Sequence, residues 1–276
     1  MAKREGAFPE HILIKILFIL KSAEIYDIIG SKKGGNHMNT IKFKNISTKI
    51  VAHRGLSGIE TENTNAAFVA AGNRSYYGIE TDIHRTADGR FVVCHDDNLN
   101  RVAGENIPVE TTALAELQSI VPFDKDGTKG RADLRVSVLE NYISICKKYG
   151  KHCVLELKSD FTEEEILGIL DIIEGFDYLK NVTFISFVYS NVEKIRKFRP
   201  DQSVQFLFTQ FTDEIIARVI KDRIDIDVYY KALTKEFVDR MHANGLVVNC
   251  WTVDDPEKAE ILSAWGVDYI TSNILE

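Results

Sequence analysis

From Lys49 onward the chain alternates short apolar runs with longer stretches of helical periodicity. No other feature restricts the fold as strongly. Runs rich in Val, Ile and Phe occupy residues 50–52, 79–83, 91–94, 154–157, 182–187, 204–208, 226–230, 246–253 and 269–271. Such runs suit strands buried on both faces. Helical patterns lie between them at 65–72, 138–149, 163–176, 191–198, 213–221, 234–244 and 256–265. Start and stop signals agree: Thr162 precedes three glutamates, Asp255 precedes Pro256, and Gly245 closes one helix before a strand. About eight β-then-α steps predict an α/β chain folded as a (β/α)8 TIM barrel. The competitor, a doubly wound open sheet, usually carries a Gly-rich phosphate loop after its first strand, and this chain has none there. The least regular stretch, about 97–135, reads as a short insertion over the barrel mouth.

Residues 49–276 are enough for one such barrel, which leaves 1–48 as an N-terminal extension. In that extension Ile12 to Leu20 is apolar except for Lys15, too short to span a membrane. It reads as a helix packed on the domain, followed by a flexible break at Ser31 to Asn36. A secretion signal is the alternative, opposed by Glu5, Glu10 and Lys15 and by the lack of a small-residue cleavage site. Met38 follows the break and is a candidate start.

With 45% apolar residues the 276-residue chain can bury a core, which excludes disorder as its main state. The net charge of −7, from 34 basic and 41 acidic residues, argues against a general nucleic-acid partner. Cys94, Cys146, Cys153 and Cys250 form no C-x-x-C pair. They read as core thiols of a protein kept in a reducing, cytoplasmic compartment. Oligomeric state is not legible.

In a barrel the C-terminal strand ends face the active site. Here those positions carry His53-Arg54-Gly55, Glu80-Thr81-Asp82, His95-Asp96, Glu156-Leu157-Lys158 and Asn249-Cys250-Trp251. Glu80 and Asp82 are two apart on a strand, so both side chains point to one face, about 7 Å apart along the backbone. Two inward carboxylates repel unless a cation or base sits between them. With Glu156 they offer three oxygen ligands and no thiolate, a set that suits Mg²⁺, Ca²⁺ or Mn²⁺. Ordinary salt bridges are the plainer alternative for the pair alone. His53 and His95, taken together at strand ends, read as a general acid and a general base. Arg54 and Lys158 add positive charge, completing a set suited to an anionic phosphorus centre.

These residues carry a resemblance. His53-Arg54-Gly55, Glu62-Asn63-Thr64, Ala67-Phe68, Glu80-x-Asp82, Thr86-x-Asp88-Gly89 and Val92-Val93-Cys94-His95-Asp96 follow one another as in the glycerophosphodiester phosphodiesterase family. Arg101-x-x-Gly104, Leu139-Glu140, Leu155-Glu156-Leu157-Lys158, Trp251-Thr252-Val253 and the run from Gly266 to Asn273 also resemble it. The resemblance implies a barrel with a short insertion after the His-Asp motif. It implies cleavage of small-molecule glycerophosphodiesters to sn-glycerol 3-phosphate and an alcohol, with one divalent cation. It places the metal carboxylates at Glu80, Asp82 and Glu156, the acid–base pair at His53 and His95, and phosphate contacts at Arg54 and Lys158. Glu62 belongs near the site, contacting metal or hydrogen-bonding its neighbours.

Thr61 and Ser137 stand where the family often has proline, and His84 where it commonly has a small apolar residue. By alternation from Asp82, His84 faces the interior, either to alter metal geometry or specificity or to pack as a neutral imidazole. Trp251, Phe187, Phe206 and Phe208 are candidates to wall the glycerol or head-group pocket, with core packing the alternative for the last two. Attack by water and attack by a neighbouring glycerol hydroxyl both fit these residues. Three other readings compete: a phospholipase D-like enzyme acting on lysophospholipids or lipid head groups, a non-catalytic phosphodiester-binding protein, and a barrel aldolase or isomerase with Lys158 as a Schiff-base lysine.

Overall fold

A computed structural model describes residues 39–44 and 47–276. The expectations for the N-terminal helix, the flexible break and the Met38 start lie outside the described residues. Eight parallel strands close into a barrel: β1 (Lys49–Ala52), β2 (Gly78–Arg85), β5 (His152–Leu157), β6 (Val182–Ser186), β7 (Ser203–Phe208), β8 (Asp225–Tyr229), β9 (Val248–Trp251) and β10 (Tyr269–Ser272). Closure comes from β1, which pairs with β2 on one side and β10 on the other. This is the (β/α)8 barrel expected from the alternation.

The outer layer follows the same order. α1 (Asn65–Gly72) follows β1, and α4 (Leu139–Tyr149) precedes β5. α5 (Glu163–Gly175), α6 (Tyr189–Phe198), α7 (Asp213–Asp222), α8 (Lys235–Ala243) and α9 (Pro256–Ala264) each follow one of the strands β5 to β9. Local chemistry starts them where the sequence indicates. Thr64, Thr162, Thr212 and Thr234 each cap a helix by accepting a backbone N–H, and Thr162 forms a full capping box with Glu165. Gly55 has φ +76°, and a Cβ there would lie 2.6 Å from that of Ala67, so β1 turns into α1 only with glycine at this point.

One run departs from the regular scheme. β3 (Phe91–Val93) pairs antiparallel with β2, and β4 (Ser137–Val138) antiparallel with β3, both outside the barrel's eight strands. The reason is local. Thr86 binds Asp88 and Arg90, and Gly89 at φ +72° completes a tight reversal. That turn is far too short for the crossover a parallel neighbour needs. Residues 94–136 then leave the sheet, forming α2 (Asn100–Ala103), α3 (Leu114–Ser119) and a small core of Val92, Cys94, Leu99, Ala103, Val109, Leu117 and Val136.

Inside the barrel, Val51, Val154, Ile185 and Leu207 form an apolar layer. Period-2 alternation on each strand places Glu80, Asp82 and Glu156 on the inward face too, nearer the C-terminal mouth. The four cysteines are buried and unpaired. No helix among the described residues is long and apolar enough to cross a membrane.

Candidate active site

Asp82 and Glu156 are direct partners in the β2–β5 register, so their side chains emerge side by side. Glu80 lies one inward position below Asp82. All three are buried, and one carboxylate oxygen from each lies within 4.8 Å of the others. Asp82 Oδ2 accepts from Asn63 Nδ2 at 2.8 Å, while Oδ1 is buried without a hydrogen bond. Glu80 Oε2 accepts the backbone N–H of Arg54 at 2.8 Å. That N–H points inward because Arg54 holds a left-handed backbone at φ +53°, as Asn63 does at +56°. Of the four described non-glycine residues in this region, these two lie at the site, a local strain that the packing of the mouth must sustain.

Cations approach the carboxylates from two sides. Lys158 Nζ lies 2.8 Å from Glu156 and 3.5 Å from Asp82. Arg54 Nε lies 3.6 Å from Asp82, and its Nη1 donates to Glu62 at 2.8 Å. Glu62 is also gripped by Arg101, whose Nη1 and Nη2 donate to it at 2.9 and 2.7 Å. With both its oxygens taken by arginines, Glu62 braces the site. Arg101 also clamps both oxygens of Asp96, at 2.7 and 3.0 Å.

Five carboxylates, Glu62, Glu80, Asp82, Asp96 and Glu156, thus face three cations, Arg54, Arg101 and Lys158. A sixth acid, the buried Asp227, stands near Glu156, and burial and that charge push it well above its ordinary range. The acids outnumber the cations, and the crowding shows in the ionisation. Burial and the neighbouring Asp82 push Glu80 well above the carboxylate range and Glu156 to about 7. Burial opposes the charge on Asp82 as well, but Lys158, His95, Arg54 and the Asn63 hydrogen bond outweigh it and hold the acid far down. An all-oxygen set with a buried oxygen left without a hydrogen bond and more acids than cations fits a hard divalent cation.

The two histidines are held differently. His53 Nδ1 lies 2.7 Å from Asn273 Oδ1. Asn273 donates its amide to Asp254 at 2.6 Å, which fixes the oxygen toward His53 and makes His53 Nδ1 the donor. His53 Nε2 then carries the lone pair, 3.9 Å from Glu80. Burial and Arg54 lower its pKa to about 4. His95 Nδ1 instead lies 2.7 Å from the carboxylate of Asp96. Burial also lowers His95, opposed by the charge of Asp82 and the bond to Asp96.

His95 reaches this level by a route different from the one expected. It follows β3 of the hairpin, not a barrel strand, and the Cys94 N–H bonded to Asp82 O at 3.1 Å sets its height. The far side of the mouth is aromatic. Trp251 meets Phe187 at 5.7 Å between ring centres and Tyr229 at 5.6 Å. Phe206 and Phe208 are not part of this wall. Leu207 turns inward, so its neighbours must point outward, where Phe206 packs on Tyr189 and Phe208 on Phe211. Tyr229, Asp254, Asn273, Asp96 and Arg101 have roles that strand-end reasoning did not assign. The last four sit inside or beside the quoted motifs, which were the available signal.

A barrel with inward carboxylates, two imidazoles and basic side chains at its mouth defines a phosphodiesterase-type site. The model of the glycerophosphoryl diester phosphodiesterase family matches residues 53–275, and the chain belongs to that family of hydrolases. It is 26% identical over 234 residues to the glycerophosphodiester phosphodiesterase of Caldanaerobacter subterraneus subsp. tengcongensis, covering 83% of this chain and 95% of that one. Among solved structures it resembles a glycerophosphodiester phosphodiesterase from Parabacteroides distasonis, with 26% identity, TM-score 0.68 and coverage of 83% and 94%. It also resembles a phosphodiesterase from Oleispira antarctica in complex with its product sn-glycerol-3-phosphate, with 23% identity, TM-score 0.72 and coverage of 82% and 93%.

Proposed function

We propose that this enzyme cleaves small glycerophosphodiesters to sn-glycerol 3-phosphate and an alcohol, with a single Mg²⁺, Ca²⁺ or Mn²⁺ held by Glu80, Asp82 and Glu156. The observation that carries the reading is the convergence of three buried carboxylates, two of them pushed above the ordinary carboxylate range, beside two imidazoles with different partners. When bound, the cation would offset the negative charge that gathers on the phosphoryl oxygens. Arg54 and Lys158 bind those same oxygens and orient the phosphorus. Glu62 acts through Arg54 and Arg101.

The partners of the histidines divide the proton work. His53, tied at Nδ1 to a neutral amide and pushed down by burial and Arg54, stays an unprotonated imidazole near neutral pH. Its Nε2 takes the proton of the attacking hydroxyl, from water or from the glycerol itself. His95, tied at Nδ1 to a carboxylate, is the better imidazolium and gives its Nε2 proton to the departing alkoxide. Trp251, with Phe187 and Tyr229, faces the organic half of the substrate.

The test is a metal-by-substrate panel. Chelated protein is reloaded with each of the three cations and offered glycerophosphocholine, glycerophosphoethanolamine and glycerophosphoglycerol, with lysophospholipids as comparison. Release of glycerol 3-phosphate with at least one cation supports the reading. No release from any pair, or activity untouched by chelation, refutes it.

A further inference from the structure

His95 follows β3, which lies outside the eight strands and is tied to the barrel by its pairing with β2 and by the bond from Cys94 N–H to Asp82 O. That bond fixes the residue before His95, and His95 itself has further anchors. Its ring is anchored by Asp96 through Arg101. Its backbone is met by a residue the reaction does not otherwise use. His84, only 4% exposed, directs Nε2 at the carbonyl oxygen of His95, 3.4 Å away, and Nδ1 at Glu110 Oε1, 3.1 Å away. Ser159, the residue after Lys158, donates its hydroxyl to the same Glu110 oxygen and lies 3.5 Å from His84 Nδ1. Glu110 itself comes from the excursion between β3 and β4.

Serine, histidine and carboxylate are the residue types of a nucleophilic triad, but the connections are wrong for one. The hydroxyl is bonded to the carboxylate, and the free end of the imidazole faces a carbonyl, which has no proton to give up. Nor is the cluster a second cation site: among the described residues only Glu80, Asp82 and Glu156 bring three metal-type ligands together. What the arrangement does is join three chain segments around one buried ring. They are the hairpin end with His95, the loop after Lys158, and the excursion with Glu110.

We propose that His84 is a positioning residue for His95, and that Glu110 sets it in place. The proposal rests on the acid role given to His95 above. Held by Glu110, the imidazole of His84 fixes the His95 carbonyl and with it the orientation of the His95 ring over the carboxylates. Ser159 ties the same anchor to the strand end that carries Lys158. Bonds of this kind are often long before substrate binds and shorten in the working complex.

His84→Ala, His84→Gln, His84→Asn, Glu110→Gln and the double variant His84→Ala/Glu110→Gln separate this from simple packing. A glutamine amide stands near the place of Nε2 and can restore the bond to the His95 carbonyl. An asparagine amide stands near Nδ1 and can restore only the bond to Glu110. In the metal-loaded enzyme we expect His84→Ala to lose about tenfold to a hundredfold in kcat, with KM within about twofold, as a small misplacement of a reacting group does. His84→Gln should recover most of that loss and His84→Asn little of it. Glu110→Gln should show a smaller loss of the same kind, and the double variant should be no worse than His84→Ala alone. Equal losses in the Gln and Asn variants, a loss confined to KM, or strictly additive losses would overturn the proposal. The second readout needs no turnover: the His95 ring resonances in ¹⁵N-edited NMR should move in His84→Ala and return in His84→Gln. Unmoved resonances overturn the positioning claim. A wild-type enzyme inactive on every glycerophosphodiester refutes the functional reading instead, and leaves the NMR comparison to decide this one.

Discussion

The two ends of the barrel interior use similar residues to opposite effect. At the N-terminal end the Lys49 ammonium lies 4.4 Å from the ring centre of Tyr77 and 5.0 Å from that of Tyr269. Tyr77 stacks on His152 at 5.1 Å, His152 Nε2 meets the Thr183 hydroxyl at 2.8 Å, and Thr183 meets Ser203 at 2.9 Å. The polar groups named there meet one another. At the C-terminal mouth three carboxylates are pressed together, a buried Asp82 oxygen has no hydrogen bond, and two of the three acids are pushed above their ordinary range. A satisfied buried network stabilises and specifies a fold, whereas an unsatisfied one stores a demand for a ligand. The lower end links neighbouring strands, and the upper end gathers the groups to which binding is assigned above.

The largest test of that contrast is to relieve the upper end. Glu80→Gln or Asp82→Asn removes a ligand charge and should cut kcat by about a thousandfold. Glu80→Gln also removes a repulsion, so the metal-free variant should melt no lower than the metal-free parent, read by calorimetry with chelator present. A lower melting point for Glu80→Gln would break the contrast. Next, His53→Ala and His95→Ala should each cost about a hundredfold to ten-thousandfold in kcat while retaining cation binding, measured by calorimetric titration. Full activity in either would remove that residue from the reaction.

The lower end should behave in reverse. Thr183→Val strands the His152 imidazole and the Ser203 hydroxyl, and should cost about 1–2 kcal/mol in urea unfolding with kcat unchanged. A large drop in kcat at intact stability would show that the two ends are not separable.

The smallest effect concerns Glu276, outside both ends. Burial opposes its charge, but the Ser75 hydroxyl, the Thr40 hydroxyl, the Ser75 N–H and Lys42 outweigh it and hold its carboxyl at about 2. A depressed folded pKa means stability that is complete above the ordinary value near 4.5 and is lost as pH falls toward 2. Glu276→Gln should therefore lower stability at pH 7 and flatten its fall between pH 5 and 2. An unchanged acid limb would show that this clamp contributes nothing.

The barrel was legible because its signals are local. Seven helices and eight parallel strands follow from periodicity, capping threonines and apolar runs, each readable within a dozen residues. The same alternation brought Glu80 and Asp82 to one face before any contact was known. The run at 91–94 looked like another barrel strand because its apolar content is that of one. What made it a hairpin was the reversal at Thr86 to Arg90, a detail of turn chemistry that periodicity does not record. In the sequence Phe206 and Phe208 stay open between pocket wall and core packing because aromatic content alone does not tell which parity faces inward, and the structure gives core packing.

By itself the sequence determined the order of elements, the side of each strand that carries acid, and the inventory of groups at the mouth. Those depend on spacing, and spacing is written in the chain. Only the tertiary structure decided who touches whom: that Asp82 lies opposite Glu156, that Arg101 reaches back to both Glu62 and Asp96, and that an amide holds His53 where a carboxylate holds His95. These pairings join residues up to 220 positions apart. They depend on strand register and barrel closure, which no local pattern encodes, and they give two chemically identical imidazoles the different partners on which the proposed base and acid roles rest.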